Sequence, residues 1–197
     1  MDEPVKRAWV FEFDQWRSLW NWVLRRRPGL ADGDAAFGYH ALMAPLMWVL
    51  TGASVIEIVA VEVLLPWPVP RAVLLVAGIW SLRVMIAVLA GYVVHPHLVG
   101  PAGLRVRYGT VVDLALPWTD VSGVRSVLRA RDGAAVQVVD GVLHLVVSGQ
   151  TNVEVALVEP VRVTLPGKGP VEVTSVRMHV DTPGAFVAAA HRALAPT

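Results

Sequence analysis

Two long apolar segments constrain what this chain can fold into. Residues 41–65 carry only two charged side chains, Glu57 and Glu62, and residues 72–94 carry only one, Arg83. A helix of about 20 apolar residues is long enough to cross the hydrocarbon core of a bilayer. We therefore interpret both segments as membrane spans. The alternative is a pair of buried helices in a soluble protein, but such helices are usually shorter and keep a polar stripe.

The overall composition agrees with a membrane protein. Hydrophobic residues make up 55% of the 197 residues and charged residues 17%, whereas soluble domains carry about 25% charged residues. The chain has 17 Lys and Arg against 16 Asp and Glu, which gives no support for a nucleic-acid partner. It has no cysteine, so disulfides, thiolate metal ligands and a cysteine nucleophile are excluded.

The segment between the spans, residues 66–71, has the sequence Pro-Trp-Pro-Val-Pro-Arg. Its three prolines do not continue a helix, because each lacks an N–H and disfavours helix in the residue before it. Trp67 suits the interface between lipid and water. We therefore expect residues 40–97 to form a two-helix transmembrane hairpin, with spans at 41–65 and 72–94 and both chain ends on one side.

Arginines indicate which side that is. The loop has only Arg71, whereas the outer ends of the hairpin are flanked by Arg25, Arg26, Arg27, Arg105 and Arg107. Because basic residues favour the cytoplasmic side, we expect both termini in the cytoplasm. We expect no signal peptide, since the first apolar run begins 40 residues into the chain and shows no cleavage signature.

The amino-terminal segment, residues 1–39, is rich in aromatic residues. Apolar residues recur at helical spacing at Phe13, Trp16, Trp20 and Val23. A Trp-rich face followed by an arginine cluster is typical of a helix lying among lipid headgroups, so we expect membrane-surface contacts from Trp16, Trp20, Arg25, Arg26 and Arg27. An equal alternative is an amphipathic helix that packs on the carboxy-terminal domain or on a second copy. Residues 31–38 are interpreted as a polar link to the first span.

From residue 98 the pattern changes to alternation. Apolar and polar residues alternate in the stretches 104–108, 153–157, 161–165 and 175–180, as in half-buried antiparallel strands. Beyond them, Asp181-Thr182-Pro183 is typical of a helix start, and an apolar stripe follows at Phe186, Val187, Ala190 and Leu194. We expect residues 98–197 to form an α+β domain of about seven antiparallel strands, a barrel or sandwich closed by a C-terminal helix. This is the pleckstrin-homology (PH) arrangement.

Several short motifs strengthen that interpretation. They are His95-Pro96-His97, GLRVRYG at 103–109, LPW at 116–118, VSGV at 121–124, Thr151-Asn152-Val153 and VDTPGAF at 180–186. Together they resemble a largely uncharacterised group of high-GC bacterial membrane proteins, in which a transmembrane hairpin precedes a PH-like domain. The resemblance implies this fold, this topology and a bacterial plasma membrane, and it implies no activity.

No motif in the sequence assembles a catalytic or metal site. His95 and His97 have ligand spacing, but no third or fourth ligand is recognisable near them. His144 and His179 are predicted to face solvent from strands. We therefore predict no catalytic residue, metal, cofactor or small-molecule substrate, and we interpret His95 and His97 as interfacial linker residues.

The ionisable residues of the spans are the sharpest functional signal, because a charge near the bilayer midplane costs at least about 2.5–3.5 kcal/mol. Glu62 is close enough to Pro66 to reach the outer surface. If the hairpin folds about Pro68, Arg83 lies about one helical turn from Glu57 in depth. We therefore expect Glu57 and Arg83 to form a charge pair that locks the two helices.

Two functions follow from these observations. The first is a non-enzymatic membrane protein whose cytoplasmic PH-like domain binds another protein or organises an assembly, with the bilayer and a protein partner or a second copy as its partners. The second is a subunit of an oligomeric transporter or channel that uses the intramembrane charges. An enzyme would require a site that the sequence does not reveal.

Overall fold

The computed structural model of the protein describes residues 16, 19–24, 29–165 and 169–195. The chain divides into two compact units. The first is helical and contains residues 43–94 together with the described residues before 25. The second is rich in β-strands and contains residues 29–42 and 95–195. The helical hairpin is thus inserted within the sequence of the β-rich unit.

Two long helices dominate the first unit. Helix α1 spans Ala44–Leu64 and helix α2 spans Pro68–Val94. Both are long and apolar enough to cross a membrane, as the sequence predicted. Helix α2 begins four residues earlier than expected, because prolines are tolerated in a first helical turn, where their missing N–H breaks no hydrogen bond.

The surfaces of these helices are apolar and largely exposed. Helix α1 has no buried residue, and α2 buries residues only near its end, at Ala87, Leu89, Ala90, Gly91 and Val94. The helices come close at Gly78, where an added Cβ would lie 2.8 Å from Cγ1 of Ile58. A small residue at such a crossing is typical of helix packing in lipid. Buried core helices of a soluble protein would not leave this apolar surface exposed.

Nine strands, a short 3-10 helix and one α-helix make up the described part of the β-rich unit. The strands are β1 (Ala35–Phe37), β2 (His97–Gly100), β3 (Gly103–Tyr108), β4 (Val112–Pro117), β5 (Val121–Ala130), β6 (Val136–Val139), β7 (Val142–Leu145), β8 (Gln150–Leu165) and β9 (Gly169–Met178). A four-stranded sheet has the order β1-β2-β3-β4, and a five-stranded sheet has the order β5-β8-β9-β7-β6. A short 3-10 helix, Trp118–Asp120, connects the two sheets, and helix α3 (Pro183–Leu194) follows β9.

Strand β1 lies in the segment 31–38, which the sequence analysis interpreted as a polar link. It pairs antiparallel with β2, from Ala35 opposite Val99 to Phe37 opposite His97. Three residues are too few to show a recognisable alternation, so the pattern could not reveal this strand. The β-rich unit therefore begins before the hairpin, and residues 98–197 do not contain all of it.

The five-stranded sheet is mixed, whereas the sequence pattern predicted antiparallel strands throughout. Strands β7 and β9 pair in parallel, from Val142 opposite Ser175 to Leu145 opposite Met178. This arises because β8 follows the β6–β7 hairpin in sequence but pairs on the other side of β9. The strands do not close into a barrel, because β5 and β6 remain the edges of this sheet.

The closing helix begins where the sequence predicted, with Pro183 in its first turn. Thr182 occupies the N-cap position without a side-chain capping bond. Asp181 makes other contacts: its carboxylate accepts a hydrogen bond from the Ala41 N–H (3.0 Å), and its own N–H donates to the Gly38 carbonyl (2.8 Å). Asp181 thus joins the chain before the hairpin to the start of α3.

Asn152 fastens β8 to the segment before α3. Its side-chain amide donates to the Val180 carbonyl, and its side-chain oxygen accepts from the Val180 N–H, both at 2.8 Å. These are the two hydrogen bonds that a residue of a paired strand would make. The Asn152 side chain therefore satisfies the backbone N–H and C=O groups of Val180 just after β9 has ended.

Phe186→Ala should destabilise the β-rich unit. Phe186 is 0% exposed and packs edge-on against Phe37, with ring centroids 5.1 Å apart. Truncating a buried Phe to Ala costs about 3–5 kcal/mol, so the unfolding midpoint of the full-length protein in detergent should fall clearly. Arg192→Ala, an exposed position on the same helix, should leave it unchanged. Equal midpoints for wild type and Phe186→Ala would contradict the closing role of α3.

Candidate functional site

The charged residues of the hairpin contact groups other than the expected ones. The Arg83 guanidinium carbon lies 4.2 Å from the ring centroid of Trp80 and 4.8 Å from that of Trp16. No ion pair between Glu57 and Arg83 occurs among the described residues. Glu62 lies 3.7 Å from Arg71, in the first turn of α2, and both side chains are exposed.

Glu57 instead lines a cavity of about 250 Å³ between α1 and α2. The other polar side chains in its wall are Ser54 and Ser81, and the remaining lining is apolar or glycine. One carboxylate and two hydroxyls fall short of the six or more oxygens that a hard cation takes. The cavity is therefore a polar interruption of an apolar hairpin rather than an assembled cation site.

The residues expected at the membrane surface are described only in part. Residues 19–23 are helical, as predicted, and the side chains of Trp16 and Trp20 are exposed. Arg25, Arg26 and Arg27 lie outside the described residues. The contact of this segment with lipid headgroups stays a prediction.

Arg83 and Trp80 should be energetically coupled. Arg83→Gln and Trp80→Leu each remove the same cation–π contact, so the double variant should lose less stability than the two single losses combined, by about 0.5–2 kcal/mol. The unfolding midpoint in detergent measures each loss. As the matched pair, Arg83→Gln and Glu57→Gln should be additive to within about 0.5 kcal/mol. Coupling in the second pair and additivity in the first would instead restore the charge pair expected from the sequence.

His97 belongs to a buried aromatic cluster at the start of β2. Its ring is 4.7 Å from Tyr39, which in turn stacks on Tyr108 at 5.8 Å. Its Nδ1 accepts a hydrogen bond from the Arg107 N–H (3.1 Å), so Nε2 carries the proton and donates to the His179 carbonyl (3.2 Å). The interpretation of His97 as an interfacial linker residue was therefore wrong.

Burial lowers the pKa of His97 to about 4, and the hydrogen bond to the His179 carbonyl opposes this shift only in part. The pKa values of His144 and His179 also lie below the ordinary value, chiefly because burial disfavours the charged ring. Both side chains are buried, so the expectation that they face solvent was wrong. Within the described residues, no group of three or more His, Asp or Glu could hold a metal ion.

Acid should destabilise the fold through His97. The folded pKa is below the unfolded value of 6.5, so stability is fully present above pH 6.5 and is lost as the pH falls toward the folded pKa. A shift from 6.5 to about 4 corresponds to roughly 3 kcal/mol. The unfolding midpoint of the wild type should therefore fall between about pH 7 and pH 4.5. The fall should be shallower in His97→Gln but unchanged in His191→Gln, and parallel profiles in all three proteins would exclude His97 as the cause.

The two arginines of β3 converge on one carboxylate of β4. Arg105 donates from Nε and Nη2 to the two Asp113 oxygens at 2.6 and 2.7 Å, and Arg107 Nε lies 3.4 Å from the nearer one. Burial favours the neutral form of Asp113, but these bonds and charges outweigh it and lower its pKa below the ordinary value. The bidentate contact occupies much of the Arg105 guanidinium, which reduces its capacity for an external anion.

A row of polar side chains crosses all five strands of the second sheet. The residues paired from strand to strand are, in order from β5 to β6, Arg125, Glu154, Arg177, His144 and Gln137. Residues directly opposite each other in paired strands share one face of the sheet. Their sequence neighbours Val153, Val155, Val176 and Met178 are buried apolar residues, so the polar row occupies the face opposite this apolar core.

Glu154 is the acidic centre of this polar row. It is only 7% exposed, and three guanidinium nitrogens approach its carboxylate: Arg125 Nη2 at 2.9 Å, Arg177 Nε at 3.3 Å and Arg129 Nε at 3.9 Å. Burial raises its pKa, but the hydrogen bonds and charges of Arg125 and Arg177 outweigh burial and hold the pKa below its ordinary value. Glu154 is therefore ionised at neutral pH. It joins Arg125 and Arg129 of β5 to Arg177 of β9, the strands on either side of its own strand β8.

Sequence reasoning missed the polar row as a unit. The alternation around Glu154 and Arg177 placed each on the polar face of its own strand, which is correct. It did not indicate that β8 and β9 lie side by side in the register that sets Glu154 opposite Arg177. A helpful signal was present: Glu154 lies between two apolar residues of β8, and several arginines lie on the strands predicted around it.

Comparison with known proteins provides no relative from which a function could be transferred. No family model matches the chain, and neither a curated protein nor a solved structure does.

Proposed function

We propose that this chain is a non-enzymatic, multi-pass protein of the bacterial plasma membrane, whose β-rich unit acts in the cytoplasm as a protein-interaction or assembly module. The observation that carries the proposal is the exposure of its apolar helices. Helix α1 spans 21 residues without burying one, and burial of apolar surface is the main favourable term in folding. Lipid is the environment in which such a surface is stable.

A PH-like identity of the β-rich unit is part of this proposal. Two sheets of antiparallel and mixed strands followed by a single C-terminal helix support it, because Phe186 of that helix inserts among the strands' buried residues. The five-stranded mixed sheet and the contribution of β1 from before the hairpin are departures from the seven strands that the sequence predicted.

The exposed apolar surface of the chain supports an interaction role. The exposed apolar faces of α1 and α2 can bind a second copy or another membrane protein as well as lipid. The exposed side chains of the β-rich unit include Leu128 and Val158, at 70% and 60% exposure. These contacts need no catalytic group, which agrees with a module that assembles other proteins.

A transporter or channel subunit is the second candidate, and the cavity beside Glu57 is the observation that favours it. An ionisable residue among membrane helices often marks a substrate or ion path. A path through the bilayer would require further copies, because two helices cannot enclose one. Ion flux through liposomes that contain only this purified protein would support this candidate over the first.

Single-cysteine labelling tests the membrane arrangement, and the chain suits it because it has no native cysteine. A membrane-impermeant maleimide should label Val69→Cys, at the start of α2 beside the connection between the helices, on intact cells, and Ala134→Cys in the β-rich unit only after lysis. Val59→Cys should stay unlabelled after lysis until detergent is added, although Val59 is 56% exposed in the isolated chain. Rapid labelling of Val59→Cys without detergent would contradict the span, and a reversed order of the other two would contradict the orientation.

Crosslinking in native membranes, followed by purification in mild detergent and mass spectrometry, tests the interaction role. A defined partner crosslinked to the β-rich unit is the expected result. A pure homo-oligomer with ion flux would instead favour the transporter candidate.

A further inference from the structure

The polar row of the five-stranded sheet carries more positive than negative charge. Three arginines lie within 4 Å of the Glu154 carboxylate, and among the described residues Glu154 is their one acidic partner in an ion pair. One carboxylate neutralises one guanidinium, so two positive charges remain uncompensated at this point of the sheet. Arg131 adds a further positive charge near His144, whose pKa it helps to lower after the larger effect of burial, and no ion pair of Arg131 occurs among the described residues.

Hydrogen-bond donors at the row are also in excess. A guanidinium has five N–H groups and a carboxylate has about four acceptor positions, so Glu154 cannot occupy the donors of three arginines. His144 lies opposite Arg177 in the row. Its Nδ1 atom and the Nε atom of Arg131 are buried and have no hydrogen-bond partner. His144 itself is 3% exposed. Buried polar atoms of this kind are normally satisfied by a partner.

We infer that the arginines around Glu154, namely Arg125 and Arg177 of the polar row with Arg129 and Arg131 beside it, bind a phosphate group. A phosphate carries up to two negative charges and presents several oxygens to guanidinium forks at once. It therefore neutralises up to two of the uncompensated charges and accepts hydrogen bonds from the excess N–H donors, whereas a single carboxylate supplies one charge and two oxygens.

The exposure of the arginines is graded in a way that suits a ligand arriving from solvent. Arg125 and Arg129 have side chains 64% and 46% exposed, whereas those of Arg177 and Glu154 are 23% and 9% exposed. The outer pair can reach a phosphate first, while the buried Glu154 fixes the positions of all three guanidinium groups. Fixed charges of this kind lose less conformational entropy on binding than free surface arginines.

This inference is independent of the proposed membrane function, because every group in the site belongs to the β-rich unit. The phosphate could be free, as inorganic phosphate or part of a small phosphorylated molecule, or it could be the headgroup of an anionic lipid. The chemistry of recognition is the same for both sources, and the experiment separates them.

The test titrates inorganic phosphate into the full-length protein in an uncharged detergent at constant ionic strength, with chloride as the balancing anion. Saturable binding is expected, and Arg125→Gln with Arg129→Gln should raise the phosphate Kd at least about tenfold, since charge-assisted bonds are the strong ones. The matched control is Arg162→Gln, a 79% exposed arginine on β8 that pairs with Glu172, which should leave the Kd unchanged.

Glu154→Gln provides a readout that a purely structural role would not give. The side-chain oxygen of the glutamine still accepts hydrogen bonds from the guanidinium groups and keeps them in place, whereas the competing negative charge is gone. The phosphate Kd should therefore fall even though the variant is less stable, and a Kd that rises would contradict the inference. In a parallel arm, nanodiscs of phosphatidylglycerol are compared with nanodiscs of phosphatidylcholine by the unfolding midpoint. Stabilisation by phosphatidylglycerol alone, lost in the double variant, assigns the phosphate to a lipid headgroup, and binding of inorganic phosphate assigns it to solution.

Three results would overturn the inference. One is the absence of saturable phosphate binding together with equal stability in both kinds of nanodisc. Another is a Kd that changes as little in the double variant as in Arg162→Gln. The third is binding of a polyglutamate peptide without binding of phosphate, which would make the row a docking site for an acidic protein segment.

Discussion

The pairing of β1 with β2 is the contact on which the rest of this architecture depends. Phe37 lies opposite His97, with the whole helical hairpin between them in sequence. Closing a loop of this length would cost conformational entropy in a flexible chain. Two antiparallel helices of 21 and 27 residues reduce that cost, because similar lengths return the chain near its starting point. A strand of only three residues can then complete the pairing.

Several long-range bonds fasten the same short segment. The Tyr39 hydroxyl accepts a hydrogen bond from the Gly109 N–H at 2.6 Å, and Asp181 bonds the backbone at Gly38 and Ala41. Tyr39 is 1% exposed, so its ring is part of the core. The β-rich unit is therefore built from both sides of the hairpin, and a cut after the second helix would remove β1 and Tyr39. A soluble version should join residue 42 to residue 95 through a linker.

The sequence predicted the elements whose signal is local and missed those that depend on neighbours. Helices α1, α2 and α3 were predicted because their apolar length or periodicity lies within one segment. The alternation in β8 and β9 correctly separated polar from apolar faces. The parallel pairing of β7 with β9, the burial of His97 and the convergence of arginines on Glu154 depend on strand order and register. A single strand's pattern holds no information about which strand lies beside it.

The β-rich unit contains two arginine clusters with different charge balance, and this difference separates a structural cluster from a binding site. On β3 and β4, Asp113 serves two arginines and engages one of them through both of its oxygens. On the second sheet, Glu154 serves three arginines, each through a single contact. A bidentate pair uses two donors of its guanidinium and both carboxylate oxygens, whereas three single contacts on one carboxylate leave more donors and more positive charge available. The second cluster therefore has a larger capacity for a further anion than the first.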